Sequence, residues 1–194
     1  MVVAWSGRAR GVVELADTVR PTSAAAVPAL RDLGLDPILL TGDGPGAARS
    51  AAERVGIGEV VVEALPEDKV ELVRRLQREG RVVAVVGDGV NDAPALAQAD
   101  LGIAMGSGTD AAVQASDLTL VRADLTAAVD AIRLARRTLG VIKENLFWAF
   151  AYNVLALPLA ITGLLNPMIA GGAMALSSLF VVSNSLRLRR FGRR

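Results

Sequence analysis

Residues 82–112, VVAVVGDGVNDAPALAQADLGIAMGSGTDAA, contain the clearest fold signal in the sequence. It begins with an apolar run at Val82–Val86, passes through a glycine-containing turn into a helical pattern at Asp92–Gln98, and returns to an apolar run at Gly102–Met105. A strand, a helix and a second strand in this order predict a βαβ unit with parallel strands. Ligands of such sheets bind at the carboxyl ends of the strands, so we expect a site in the turn that follows Val86.

The same alternation extends over residues 1–125 and predicts a parallel sheet covered by helices on both faces. Further strands are predicted from short apolar runs at Gly11–Leu15, Pro37–Leu40, Val60–Val62 and Leu118–Val121. Three helical patterns open with proline, which favours the first turn of a helix: Pro21–Leu33, Pro45–Val55 and Pro66–Glu79.

The composition of the 194 residues narrows the possible chemistry. The chain has no Cys and no His, which excludes disulfides, thiolate and imidazole metal ligands, cysteine nucleophiles and Ser-His triads. Catalysis must therefore depend on carboxylates, Lys, hydroxyls, backbone groups or a bound metal. The formal net charge of +1 gives no reason to expect a nucleic-acid partner.

Residues 145–186 contain no charged residue, which is enough length for two membrane-spanning helices. Asn166-Pro167 marks a turn between predicted spans at 145–165 and 168–186. A buried hairpin of a soluble protein is the alternative, but basic residues flank both ends: Arg133, Arg136, Arg137, Lys143, Arg187, Arg189, Arg190, Arg193 and Arg194. We therefore expect a multi-pass protein of the cell membrane with its sheet domain and both termini in the cytoplasm.

Two carboxylates, Asp88 and Asp92, stand four residues apart in the turn GDGVND. Gly87 and Gly89 are expected to bring the backbone close to a ligand and to adopt positive φ. Converging acids repel each other unless a cation intervenes, and oxygen ligands suit Mg²⁺. The alternative is that Asp88 closes a turn while Asp92 caps the following helix.

Two further strand-end motifs are candidates for contact with a phosphoryl group. Thr41-Gly42-Asp43 offers a hydroxyl and an accessible backbone N–H, although a simple turn with Asp43 as helix N-cap is the alternative. Lys69 lies in the first turn of a predicted helix, where a cation opposes the helix dipole. It would neutralise phosphoryl charge if it points into the site, and is otherwise a surface lysine.

Thr, Lys and two Asp on successive strand ends resemble the haloacid dehalogenase fold, whose first element is a nucleophilic Asp. With TGD, PEDK, the block Gly87–Ala112, NLFWAFAYN and NPMIAGGAMALSSLFVVSNSLRL, the chain resembles the carboxyl-terminal third of a heavy-metal (P1B-type) P-type ATPase. The implied fold is part of an α/β haloacid dehalogenase-like domain, followed by a two-helix transmembrane hairpin. The implied segments are 1–20 (return from the nucleotide domain), 21–124 (phosphorylation domain), 125–144 (amphipathic connecting helix), the two spans, and 187–194 (basic tail).

The resemblance implies ATP-driven export of a metal ion through an aspartyl phosphate. It gives phosphoryl-site roles to Thr41, Gly42, Asp43, Lys69 and Asn91 and Mg²⁺-binding roles to Asp88 and Asp92, with ATP bound mainly by a domain outside this chain. The copper-type intramembrane sites correspond to Tyr152, Asn153, Met174 and Ser178 here.

The residues of the spans independently favour Cu(I) or Ag(I) as the ion. Spans without Asp, Glu, Lys or His disfavour Zn²⁺ and Co²⁺, whereas the thioether of Met174 suits a soft monovalent ion. Met174 and Ser178 are four residues apart and share a helix face. Helix packing is the alternative for these residues, and it is preferred for Ser177 and Ser183.

The chain departs from the family at two points. The Asn that usually follows TGD is Gly44, and the phosphorylated Asp is absent; Asp17, the nearest candidate, is interpreted as structural. We therefore expect the isolated chain to be inactive and to require the remaining domains of the pump, in the same chain or in a second one. The alternatives are a catalytically silent membrane protein that binds Mg²⁺ or phosphate, and a membrane-anchored phosphatase.

Overall fold

A computed structural model describes residues 2–12, 19–163 and 166–190. The chain divides into two compact units, residues 1–129 and 130–194. The proposed structural residue Asp17 and the terminal arginines Arg193 and Arg194 lie outside the described residues.

The first unit opens with an antiparallel hairpin of β1 (Val2–Trp5) and β2 (Arg8–Val12). Ser6 and Gly7 form its turn, both with positive φ, which is the backbone geometry of a tight two-residue hairpin. The predicted strand at Gly11–Leu15 is therefore wrong in its start and pairing, because the strand begins at Arg8 and residues 13–18 lie outside the described part.

The remaining elements of this unit alternate as the sequence predicts. In chain order they are α1 (Pro21–Asp32), β3 (Ile38–Leu40), α2 (Pro45–Val55), β4 (Glu59–Val61), α3 (Pro66–Arg78), β5 (Ala84–Gly87), a 3₁₀ turn (Val90–Asp92), α4 (Ala93–Gln98), β6 (Leu101–Ala104), α5 (Asp110–Ala115) and β7 (Leu118–Thr119). The short helix α5 was not predicted.

All five of these strands pair in parallel as predicted, but among the described residues they form two separate sheets and not the one sheet that the sequence predicts. β3 pairs with β4, and β5 pairs with β6, which pairs with β7. Leu96 of α4, Ala104 of β6 and Ala112 of α5 form a fully buried cluster. Val85 of β5 packs against this cluster, which therefore contacts the elements on both sides of the turn that follows β5.

The second unit contains most of α6 (Leu125–Ile161) and all of α7 (Pro167–Leu186), followed by a 3₁₀ turn (Arg187–Arg190). α6 is one continuous helix through both the predicted connecting segment and the first predicted span, with Pro158 inside it. The Asn166 side chain caps α7 by accepting from the Met168 N–H at 2.9 Å.

Among the described residues, α6 is the helix whose length and apolar composition would let it cross a membrane. The second predicted span coincides with the 20-residue, uncharged α7, and its role as a span stays a prediction.

Candidate functional site

The Thr41-Gly42-Asp43 loop follows β3 and closes on itself. The Asp43 N–H donates to Thr41 Oγ1 at 3.1 Å, and that hydroxyl donates to Asp43 Oδ2 at 2.9 Å. Gly44, not Asp43, occupies the N-cap position of α2, and no side chain caps this helix. The interpretation of Asp43 as a helix cap is therefore wrong, because its carboxylate is engaged within the loop.

The segment that follows β4 joins this loop to the start of α3. The N–H groups of Glu63 and Ala64 donate to the carbonyls of Asp43 and Thr41, each at 3.0 Å. Glu63 has a positive φ of 52°, an uncommon conformation for a residue with a side chain. The chain then enters α3, so the TGD loop and the first turn of α3 are neighbours.

Lys69 lies in that first turn and forms the central contact of the site. Its Nζ donates to Asp92 Oδ1 at 2.7 Å, and the two side chains are only 13% and 19% exposed. Interpretation as an ordinary surface lysine is therefore wrong. The contact joins the start of α3 to the turn after β5 across 23 residues of sequence.

The second carboxylate oxygen of Asp92 accepts from the N–H groups of Gly89 at 3.1 Å and Asp88 at 3.3 Å. Asp92 occupies the N-cap position of α4 but makes no capping hydrogen bond there, so the helix-cap alternative is wrong. Its side chain turns back to close the GDGVND turn instead. Both oxygens of this carboxylate therefore have protein donors.

The glycines of this turn allow the Asp92 side chain to approach the backbone closely, and they do not adopt positive φ. A Cβ on Gly87 would lie 2.7 Å from Cβ of Asp92, so a side chain there would displace the carboxylate. Neither Gly87 nor Gly89 has positive φ; that of Gly89 is −96°. The expectation of left-handed backbone here is wrong.

Two opposing effects set the pKa of Asp92. Burial raises it, but the Lys69 ammonium and the N–H groups of Gly89 and Asp88 lower it by more, so the pKa lies below the ordinary value of 3.8. Asp92 is therefore ionised across the physiological range, and it forms a charge-assisted pair with Lys69.

Asp88 has a different environment from its partner. Its side chain is exposed, as is that of Asn91, and no hydrogen bond to the Asp88 carboxylate occurs among the described residues. Its backbone is fixed instead, because the Thr109 N–H donates to the Asp88 carbonyl at 2.8 Å. A Cβ on Gly108 would lie 3.0 Å from the same carbonyl oxygen.

Gly108 and Thr109 are site residues to which the sequence interpretation gave no role. Thr109 also caps α5, accepting from the Ala112 N–H at 3.4 Å. A Thr directly before an acidic residue and a short helical pattern is a signal for such a cap. This loop therefore holds the backbone that presents Asp88.

The described residues contain no cluster of three or more acidic side chains that could hold a metal ion alone. An exposed carboxylate with fixed backbone nonetheless suits Mg²⁺, which is bound in proteins through one or two carboxylates, with water and phosphate oxygens as the other ligands. Asp88 fits that description, whereas the oxygens of Asp92 are already engaged.

The remaining candidate residues lie on α6 and α7. Met174 and Ser178 are exposed and one turn apart on α7, whereas Ser177 is half-buried. On α6, Tyr152 is half-buried, and the Asn153 side chain donates to the Ala149 carbonyl at 2.8 Å. Met174 and Ser178 therefore share one exposed helix face.

Two family models, both described as haloacid dehalogenase-like hydrolase, match residues 1–100 and 70–132. The cation-transporting P-type ATPase B of Mycobacterium tuberculosis (strain ATCC 25618 / H37Rv) is 56% identical over 190 residues, which cover 98% of this chain and 25% of that protein. The copper-exporting P-type ATPase of the same strain is 55% identical over 187 residues, 96% of this chain and 25% of that protein. The chain thus spans about a quarter of these relatives.

Solved structures of heavy-metal ATPases are also similar to this chain. The crystal structure of a zinc-transporting PIB-type ATPase in the E2.Pi state superposes with a TM-score of 0.81 at 39% identity, over 89% of this chain and 28% of that one. The catalytic domain of the CPx-ATPase CopB-B matches with a TM-score of 0.58 at 34% identity, over 66% of this chain and 51% of that domain. The chain belongs to the haloacid dehalogenase-like hydrolases and, within them, to the heavy-metal (PIB-type) P-type ATPases.

Proposed function

We propose that the chain forms the carboxyl-terminal part of an ATP-driven exporter of Cu(I) or Ag(I). The exporter works through an aspartyl phosphate whose Asp lies outside these 194 residues. The observation that carries the proposal is the Lys69–Asp92 pair at 2.7 Å, which stands beside the TGD loop and the exposed Asp88.

Phosphoryl transfer requires positioning and neutralisation of charge, and these residues supply both. Lys69 brings a positive charge to the phosphoryl oxygens, and the Thr41 hydroxyl and Gly42 N–H donate to them. Asp43 holds Thr41 in place through their hydrogen bond, and the exposed Asn91 lies between Asp88 and Asp92 in the sequence. Asp88 would hold Mg²⁺, which when bound supplies further neutralisation of phosphate charge.

The division of the sheet supports a nucleophile from another part of the pump. In the described part of the chain, β5 forms a ladder only with β6, and β3 only with β4. A parallel strand between β3 and β5 would join the two ladders. Its carboxyl end would lie beside both the TGD and GDGVND loops, where an Asp is needed.

The membrane half supports the identity of the ion. The uncharged stretch 145–186 offers oxygen and thioether donors but no hard anionic ligand. Met174 and Ser178 on α7, with Tyr152 and Asn153 on α6, are the proposed ligands. The exposed face of Met174 and Ser178 would be available to other helices of the pump.

The protein is proposed to lie in the cell membrane, with α6 and α7 as two spans and the sheet domain in the cytoplasm. Lys143 precedes the uncharged stretch and Arg187 follows it, so both basic flanks fall on one side of a two-span hairpin. ATP would bind mainly to a domain outside this chain. Without that domain and the nucleophilic Asp, the isolated chain is proposed to be inactive.

The test replaces the corresponding quarter of the mycobacterial copper-exporting relative with this chain. ATP-dependent uptake of Cu(I), Ag(I) and Zn²⁺ is then measured in inverted membrane vesicles. Uptake of Cu(I) and Ag(I) but not Zn²⁺ is expected, with loss in Met174→Leu and in Lys69→Met. Met168→Leu is the matched control, because Met168 is exposed on the same helix but is not a proposed ligand.

Two results would overturn the proposal. Zinc uptake that survives Met174→Leu would show that the ion assignment is wrong. Release of phosphate from a generic phosphoester by the unmodified chain, abolished in Asp88→Asn, would show that the chain is itself a phosphatase.

A further inference from the structure

A network of polar side chains joins α6 and α7 at the arginine-flanked end of the hairpin. Asn184 is a buried polar residue, only 6% exposed. Its amide nitrogen donates to Glu144 Oε2 at 3.1 Å and Asn145 Oδ1 at 2.9 Å, and its amide oxygen accepts from Arg187 at 3.3 Å. Asn145 in turn donates to Ser185 Oγ at 3.2 Å.

These contacts define an antiparallel register between the two helices. Asn145 lies opposite Asn184, and one turn further along the hairpin the rings of Trp148 and Phe180 are 6.0 Å apart, edge to face. Each residue forward on α6 therefore corresponds to one residue backward on α7. The register continued along the hairpin places Tyr152 opposite Ser177 and Ala156 opposite Ala173.

The half-buried positions of each helix are partly consistent with this register. On α6 the less exposed positions of the hairpin include Asn145, Ala149, Tyr152 and Ala156. On α7 they are Ala170, Ala173, Ser177, Val181 and Asn184. Both sets recur every three or four residues, and under the register Asn145 coincides with Asn184, Tyr152 with Ser177 and Ala156 with Ala173.

We infer that Asn184, Asn145 and Glu144 form a polar clasp that sets the depth of the proposed metal ligands of α7 relative to those of α6. The inference rests on the proposed function. Apolar contacts between small side chains specify register weakly, since lipid is as apolar as they are. A buried amide bonded to two side chains of the other helix has only one register in which both bonds form.

The consequence for the ligands is a fixed difference in depth. In this register Ser178 lies at the same depth as Ala151, which precedes Tyr152 and Asn153 on α6. Met174 lies one helical turn further from the clasp. A slip of α7 by one turn, about 5.4 Å, would move Ser178 away from the α6 ligands. Asn184 is thus a positioning residue for the site, which lies up to ten residues away on α7.

Disulfide trapping in the cysteine-free chain tests the register without metal. The pair Ala156→Cys with Ala173→Cys is expected to cross-link in lipid vesicles treated with diamide. The offset pair Ala156→Cys with Ala170→Cys is expected to cross-link poorly. Adding Asn184→Leu should cut the first product at least twofold and raise the second, whereas Asn184→Gln, which keeps an amide, should restore much of the original pattern.

The second readout is the copper dependence of ATP hydrolysis in the chimeric pump. Asn184→Leu is expected to raise the Cu(I) concentration at half-maximal rate about tenfold or more, with a smaller effect on the maximal rate. An unchanged cross-linking pattern in Asn184→Leu would overturn the clasp itself. A changed pattern with unchanged copper dependence would overturn its positioning role, and copper-independent hydrolysis in the parent chimera would instead refute the proposed function.

Discussion

Gly108→Ala is expected to loosen the backbone that presents Asp88. The added Cβ would lie 2.8 Å from the Met105 carbonyl oxygen, 3.0 Å from that of Asp88 and 3.2 Å from Cα of Asp88. All three are backbone atoms, so none can move aside by changing a rotamer. Because Gly108 does not have positive φ, the effect isolates steric crowding from backbone strain.

The size of the effect follows from two contributions. Overpacking of this kind costs about 1–3 kcal/mol. Displacement of the Asp88 carbonyl also weakens its hydrogen bond from the Thr109 N–H, at 2.8 Å, which adds about 1 kcal/mol. The local free energy of opening should therefore fall by about 2–4 kcal/mol.

Hydrogen–deuterium exchange of the full chain in detergent measures this loss locally. At tenfold per 1.4 kcal/mol, amide exchange at Thr109 and Met105 should accelerate about 30- to 700-fold. Gly46→Ala is the matched control, because a Cβ at Gly46 meets nothing within 4 Å. Exchange at Thr109 and Met105 that is no faster in Gly108→Ala than in this control would refute the reasoning.

Two further variants separate the roles of the carboxylates. Lys69→Met removes the charge that lowers the pKa of Asp92, while burial still raises that pKa, so the folded-state pKa should increase. Ionised Asp92 contributes stability that is lost as pH falls through this folded-state pKa. The variant should therefore lose that stability at a higher pH than the unmodified chain. Circular dichroism during acid titration measures this, and an acid midpoint no higher than that of Arg78→Met, which breaks only an exposed ion pair, would contradict it. Asp88→Asn should weaken Mg²⁺ binding at least tenfold by calorimetric titration without lowering thermal stability. Asp36→Asn is its control, since that side chain is 88% exposed, and an equal loss of affinity in both would count against a magnesium role for Asp88.

Elements with local start and stop signals could be predicted from the sequence. α2 begins at Pro45 and ends at Val55 as predicted, because proline favours the first turn and Gly56, with φ of 76°, ends the helix in the left-handed conformation. The β1–β2 hairpin was missed because β1 has only four residues and the two arginines of β2 obscure its apolar pattern. The Ser6-Gly7 pair was the available signal.

The candidate site could be predicted as a set of residues but not as a set of contacts. Lys69 and Asp92 were both singled out, yet their pairing depends on how α3 packs against α4, which no local pattern encodes. The same holds for Gly87, whose requirement comes from the approach of Asp92 at 2.7 Å and not from its own φ. Long-range packing thus determines which of the candidate residues contact one another.

The contacts of the two carboxylates assign them different tasks. Two acids at the ends of one short turn would repel, but Lys69 and two backbone N–H groups already compensate the charge of Asp92. That leaves the exposed Asp88 as the uncompensated charge of the turn and hence the group most able to attract a cation. A phosphoryl group that reaches Lys69 must share the ammonium with Asp92, which accepts from it at 2.7 Å. A phosphoryl group bound at Lys69 would therefore weaken the contacts of Asp92 in the GDGVND turn, because the same carboxylate accepts hydrogen bonds from the N–H groups of Asp88 and Gly89.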